Sequence, residues 1–433
     1  MKKLFSILLV TICLPLMAAL DSTEQALVKA IDADLGNGKA LLIESVNINS
    51  GTMNFEGVRQ VGDLFSAELK AIGFETQWVD GKAFNRSGHL VASYGDEGVK
   101  LLLIGHLDTV FAKESSLQKA EAIANNKMKG PGITDMKGGD VIIIQAMKAL
   151  KQAGELDKMQ IRIIMTGDEE SRGAPHRLAN KALLAAADWA DIALGFEDGD
   201  GNPKTAVVAR RGSTGWTLKV KGKPAHSSQI FREDIGYGAI LETSRIMTEF
   251  TKQLTKLNNL TFNPGLILGG TETEYQGKSR GTAFGKRNVI AQTTMVQGGI
   301  RAMSPEQLAE AQKMMHKIVA NNYPHTSAEL IFKDGYPPMA PRESNYKLLG
   351  LYSSASEDLG FGKVDPVDPR KAGAADISFT ASYVTMALDG LGLMGDGGHT
   401  IDEVADMNTF ESQTKRATIL MYRLNQAHNK GTL

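Results

Sequence analysis

Acidic and imidazole side chains recur just past the apolar runs of this sequence. GHLD sets His106 and Asp108 two residues apart directly after the run LLLIG. On an extended backbone both side chains project to one side, so the aspartate can act on the histidine or on its surroundings as a supporting partner. By itself an HxD pair is a weak signal, and a structural reading is favoured. GPGITDMKGGD places Asp135 in a glycine-rich loop before a helix, where capping or turn formation is the ordinary role of an aspartate. GDEES adds the adjacent pair Glu169 and Glu170 at the end of IRIIMT, and two acids at the mouth of a buried strand repel one another unless a cation is present. DIALGFED repeats the device with Glu197 and Asp198, either of which could be a ligand. His399 lies in GDGGHT, where flanking glycines let the backbone approach closely. Hard oxygen donors with two imidazoles and no thiolate suit catalytic zinc, with manganese or cobalt as substitutes. The candidates exceed what one catalytic zinc needs, so the pattern points to a two-metal site that shares a carboxylate and leaves a glutamate free as a base.

The elements that must position these residues are legible in outline. Val58, Val61, Leu64, Phe65, Leu69 and Ile72 fall at helical spacing before Gly73. Buried-strand runs follow at 101–105, 161–166 and 191–196, with a helix expected over 140–154 between the first two. Strands alternating with helices predict an α/β domain whose mixed, mostly parallel sheet is flanked by helices, with ligands gathered beyond the carboxyl ends of the strands. Beyond Arg210 the pattern changes. A half-exposed strand at 214–228, a helix at 235–250, a strand at 288–303, a helix from Pro305 to about Asn321 and a strand at 328–334 suggest a ferredoxin-like α+β domain inserted in the first. The expected organisation is a catalytic domain of residues 21–212 and 335–433 interrupted by residues 213–334.

With 433 residues the chain has material for two domains or more. Lys+Arg is 48 against Asp+Glu 49, which lacks the basic footprint of a nucleic-acid binder and leaves small ligands or metabolites as the expected partners. Residues 1–20 read as a secretory signal peptide: two lysines, an apolar run from Leu4 to Met17, then small residues at Ala18 and Ala19. A periplasmic or secreted location is the expectation, without stable membrane insertion after cleavage. The only cysteine, Cys13, falls inside that segment, so any metal site must be built from His, Asp and Glu.

In their order along the chain, GHLDTVF, GPGITDMKGG, GDEES and GGHTIDE resemble the motifs of the glutamate carboxypeptidase and aminoacylase family of co-catalytic zinc hydrolases, including the bacterial carboxypeptidase G type. The resemblance spans roughly residues 40 to 425. It implies a di-zinc exopeptidase fold with an inserted lid or dimerisation domain, a homodimer, and a small peptide or N-acyl amino acid as substrate. It implies that Asp135 bridges two zinc ions, that His106 and Glu197 complete one ligand set and Glu170 and His399 the other, and that a cis peptide follows Asp135. Glu169 would be the general base and Asp108 the partner of His106. KGKPAHSS implies that His226 polarises the substrate carbonyl from the opposite subunit, and KRNVI and GGIR imply that Asn288 and Arg301 hold the substrate backbone and free carboxylate. GAAD at 373–376 resembles a loop near that carboxylate.

The chain also departs from the family pattern. Glu197-Asp198-Gly199 stands where many relatives have Glu followed by Pro and Thr, Gly299 replaces an acid common before the arginine, and ETEYQGKSRGTAFGK is a long polar insertion that could alter substrate contacts.

Overall fold

The computed structural model describes residues 20–277 and 279–433, so the expected signal peptide, Leu20 apart, lies outside the described residues. Across the main sheet the strands run Glu75–Asp80, Gly88–Tyr94, Gln160–Thr166, Lys100–His106, Ile192–Gly195 and Met386–Leu388. The first two are antiparallel additions, and the last four are mutually parallel.

The run LLLIG explains why the Lys100–His106 strand is central. Leu101 and Leu103 enter one apolar cluster with the helices Ser22–Val46, Gly138–Gln152 and Asn408–Asn429, while Leu102 and Ile104 enter a second with Leu183, Ala186 and Ala187 of the helix Lys181–Trp189. Alternate residues thus face opposite helical layers, which is why the strand reads as continuously apolar rather than alternating. Truncating Leu103, which is fully buried, to alanine would cost about 2–5 kcal/mol by cavity formation.

Residues 213–336 form a separate four-stranded antiparallel sheet in the order Thr261–Gly270, Thr293–Arg301, Ser213–Gly222, Thr326–Tyr336. The helices Gly238–Leu254 and Pro305–Val319 cover one face, onto which Trp216, Leu218 and Val220 project at alternate positions. This is the ferredoxin-like arrangement, and its last strand continues to Tyr336, beyond the expected boundary at 334. The polar insertion folds into a hairpin of Glu272–Gly277 and Arg280–Phe284 that extends from the edge strand.

Candidate metal centre

Three candidate segments leave neighbouring parallel strands at the same end. His106 closes its strand, Glu169 and Glu170 follow Thr166, and Glu197 follows Gly195. Asp135 comes in from the turn Ile133–Lys137 that opens the helix Gly138–Gln152, and the peptide after it is cis. Gly139 lets that helix close on the sheet: a Cβ there would stand 1.9 Å from the carbonyl oxygen of Phe196. His399 arrives from a glycine-rich turn and itself has a positive φ of 65°.

Asp135 stands between two sets of donors. Its Oδ1 is 3.0 Å from His106 Nε2, which is 3.6 Å from Glu197 Oε1. Its Oδ2 is 2.9 Å from His399 Nε2, which is 3.2 Å from Glu170 Oε2. Donors bound about 2.1 Å from a tetrahedral zinc stand about 3.4 Å apart, so both triads have the right spacing. The second oxygen of Glu170, Oε1, is buried without a hydrogen-bond partner, as a carboxylate aimed at a cation would be. The residues present therefore fit two metal ions bridged by Asp135. Of the pair left open by the sequence, Glu197 joins the His106 triad and Asp198 does not: its carbonyl accepts from Gly201 in the turn that carries the chain away.

The electrostatics agree with this arrangement. Burial pushes Glu169 up to about 8 and Asp198 up to about 8, and it raises Glu197 well above the carboxylate range with the Asp135 charge adding to the effect. The Asp135 and Glu170 carboxylates raise His399 to about 11. Burial works against charge on His106, yet the acids around it, Asp135 first, hold its pKa well above the ordinary value. Acids crowded in a low dielectric retain protons unless divalent cations take their place.

Asp108 stands beside His106 and also supports the surroundings of the centre. His106 Nδ1 lies 2.9 Å from the backbone carbonyl of Asp108 and 3.6 Å from its carboxylate. The carboxylate also accepts from the Thr52 hydroxyl at 2.6 Å and the backbone N–H groups of Glu169 at 3.0 Å and Glu170 at 3.2 Å. It thereby ties the His106 strand to the turn carrying both glutamates.

Several supporting residues went unread in the sequence. The buried Glu403 carboxylate accepts from the N–H groups of Gly132 at 2.8 Å, Thr134 at 2.9 Å and Asp135 at 3.3 Å, and so fixes the turn that presents the bridging aspartate. Its one signal was its place in GGHTIDE. Asp389 accepts from Glu197 N–H at 3.3 Å and from Arg210 at 2.7 Å. Asp376, of the GAAD loop, accepts from the Thr166 hydroxyl and pairs with Arg172.

Among the described residues, neither triad includes a small-domain side chain. His226 is exposed and its Nδ1 pairs with the Ser228 hydroxyl at 2.8 Å. Asn288 is its neighbour: Ser227 N–H donates to the Asn288 carbonyl at 2.9 Å, and His226 pairs with Val289 as an isolated bridge. Arg301 closes the strand Thr293–Arg301, whereas Asn288 precedes that strand. At about 3.3 Å per residue the strand alone spans about 26 Å, and the His226–Val289 bridge lies beyond its Thr293 end, so Asn288 and Arg301 mark opposite ends of the small sheet.

A sheet with two bridged carboxylate–imidazole triads at its carboxyl edge defines a two-metal hydrolase. Residues 102–424 match the family described as peptidase family M20/M25/M40, and the chain belongs to this family of metal-dependent peptidases. Among curated relatives, it is 26% identical to a Pseudomonas protein named carboxypeptidase G2, over 82% of this chain and 81% of that protein. It is 25% identical to a Bradyrhizobium protein named succinyl-diaminopimelate desuccinylase, over 81% of this chain and 90% of that protein. A solved structure titled as a tripeptidase from Staphylococcus aureus shares the fold with a TM-score of 0.66 at 17% identity, covering 93% of this chain and 99% of that one.

Proposed function

We propose that the protein is a two-zinc carboxypeptidase that hydrolyses the amide bond preceding a C-terminal amino acid, with glutamate the leading candidate. The observation that carries the hydrolytic reading is the Asp135 carboxylate, whose two oxygens each serve a separate His/Glu pair. His106, Asp135 and Glu197 would hold one ion, and Asp135, Glu170 and His399 the other. When bound, the ions supply Lewis-acid polarisation of the scissile carbonyl and acidify the attacking water. Glu169 accepts the proton of that water and delivers it to the leaving amine, a task suited to a carboxylate whose burial moves it towards neutrality. Asp108 fixes the backbone of Glu169 during both transfers.

The relative named carboxypeptidase G2 supports release of a C-terminal residue. Arg301 would take the substrate carboxylate, since its planar fork suits bidentate pairing. Arg211 is close enough for each charge to feel the other, and its buried Nε has no partner, so an anion there would be welcome to both. His226 and Asn288, at the opposite end of the small domain, would serve the active site of a second copy, with His226 stabilising the developing oxyanion. The small domain would then be both lid and dimerisation module. Export to the periplasm or beyond rests on the apolar segment after Lys3. Among the described residues no helix is long and apolar enough to cross a membrane.

A second reading, an N-acyl amino acid amidohydrolase or dipeptidase, draws on the relative named succinyl-diaminopimelate desuccinylase. A peptide-binding protein without catalysis is disfavoured by the intact Glu169–Glu170 pair, because a binder has no use for the base. The zinc-loaded protein assayed on dipeptides, N-acyl amino acids and folates ending in Glu, Asp or a neutral residue separates these readings. Release of C-terminal glutamate in preference to neutral residues is expected. Indifference to the C-terminal residue would favour the amidohydrolase, and a metal-replete protein inert on the whole panel would favour the binder.

A further inference from the structure

Beside the Glu170 carboxylate the surface opens into a cavity of about 440 Å³, within the size range of small-molecule sites. Its floor is built rather than incidental. Thr52 N–H donates to the Thr109 carbonyl at 3.1 Å and Thr109 N–H to the Ser50 carbonyl at 2.9 Å, so two segments distant in sequence are locked together. The Thr52 side chain is fixed again by Asp108. The same two segments raise Met53 and Val110 along the cavity, where they remain 68% and 39% exposed. Large apolar side chains left in water next to a reactive centre mark a surface that a ligand covers. Methionine in particular adapts to varied apolar shapes.

The charges select among ligands. Lys113 and Glu114 stand side by side at the cavity, so the lining offers no net positive charge to an anionic group. No residue of the small domain lines it, whereas the arginine suited to the substrate carboxylate belongs to that domain. A substrate anchored by Arg301 and cleaved at the metal centre therefore has its acyl side left to occupy this cavity.

We propose that the cavity walled by Met53 and Val110 receives the acyl side of the substrate and selects an uncharged apolar group, aromatic or aliphatic, over acetyl or a dicarboxylic acyl group such as succinyl. The inference rests on the hydrolytic reading above and adds to it the chemistry of the acyl group. Hydrolysis of N-octanoyl-, N-benzoyl-, N-acetyl- and N-succinyl-glutamate is the test, run alongside calorimetric binding of octanoate to the same protein. The expected order places octanoyl and benzoyl above acetyl and succinyl. Val110→Asp should lower the octanoyl-to-acetyl ratio of kcat/KM about tenfold or more, as expected when one wall of an apolar pocket is lost, and should abolish octanoate binding. Met53→Ala should lower the ratio by a smaller factor, and since its side chain is largely in water its folding should be unaffected. A ratio unchanged in both variants, or a preference for succinyl over octanoyl, overturns the cavity assignment while leaving the hydrolytic reading intact. Failure to cleave any amide, with octanoate binding still lost in Val110→Asp, overturns the hydrolytic reading and leaves the apolar character of the cavity standing.

Discussion

The Tyr336 hydroxyl donates a 2.7 Å hydrogen bond to the backbone carbonyl of Glu169, joining the last residue of the small domain to the proposed base. The same hydroxyl accepts from Arg172 at 2.9 Å, and Arg172 is clamped by Asp168 at 2.7 Å and by Asp376. Tyr336 also pairs with Ser213, so both crossings between the domains meet at this point. Tyr336→Phe leaves a buried carbonyl and a guanidinium N–H short of a partner. It should cost about 1–3 kcal/mol in urea unfolding. If the bond also aims the Glu169 turn, kcat should fall about tenfold, or about 1.4 kcal/mol in barrier, with KM and metal content little changed. An unchanged kcat would reduce Tyr336 to a structural tie.

The bridging geometry makes the two ligand sets unequal in their response to mutation. Asp135 belongs to both triads and Glu197 to one. Metal analysis should therefore find Asp135→Asn depleted of both ions and Glu197→Gln retaining roughly one, because each four-coordinate site needs its anionic donors. Full metal content in Asp135→Asn would contradict the bridge.

His106, Glu170 and Glu197 are legible because they close or follow strands buried on both faces, which announce themselves as continuous apolar runs, whereas Asp135 and His399 sit in glycine-rich turns and are legible only through the motifs GPGITDMKGG and GGHTIDE. Residues outside that pattern were hidden for physical reasons. The helix Ser22–Val46 carries Gly36, Asn37 and Gly38 in its interior, a poor helical sequence. A Cβ at Gly38 would come within 2.8 Å of the Gln145 side chain on the neighbouring helix, which would have to shift. The strand Thr261–Gly270 contains Pro264 and a bulge, tolerated because it lies at the sheet edge, and so shows no clean alternation. The ties from Asp376 to Arg172 and from Tyr336 to Glu169 span more than a hundred residues, and no local spacing reports them. An HxD pair leaves open whether the aspartate serves the histidine or its surroundings, and Asp108 does both. The strand ends at His106, and beyond it the carboxylate swings to the Glu169–Glu170 amides.

His89 is buried against Phe84, accepts from Gly167 N–H through Nδ1 at 3.2 Å, and stands 2.9 Å from the Ala179 carbonyl through Nε2. That pairing defines the neutral ring protonated on Nε2, and burial holds its pKa below the ordinary value. The unfolded chain protonates this residue near its ordinary pKa of about 6.5 while the folded chain resists. The unfolded state then binds more protons, so the His89 contribution is complete above about pH 6.5 and is lost as pH falls towards the lower folded value. Urea unfolding at about pH 7 and about pH 5.5 should show a smaller acid-induced loss in His89→Gln than in the parent protein. Equal losses would mean that His89 is protonated in the folded protein.

If His226 serves the active site of a second copy, inactive variants should complement one another. Mixing His226→Ala with Glu169→Ala should restore activity, because a mixed dimer assembles one site with both residues intact, up to about half of the sites in such dimers. No recovery after verified subunit exchange would place His226 outside the reaction or within its own chain.

In the proposed reaction Glu169 moves the proton while two metal ions that it does not hold support the chemistry. Glu169→Gln preserves the shape of the side chain and removes its basicity. The variant should bind two ions per chain and turn over N-acyl-glutamate about 10²- to 10⁴-fold more slowly. Turnover at the level of the parent protein, with metal content equally preserved, would contradict that role for Glu169.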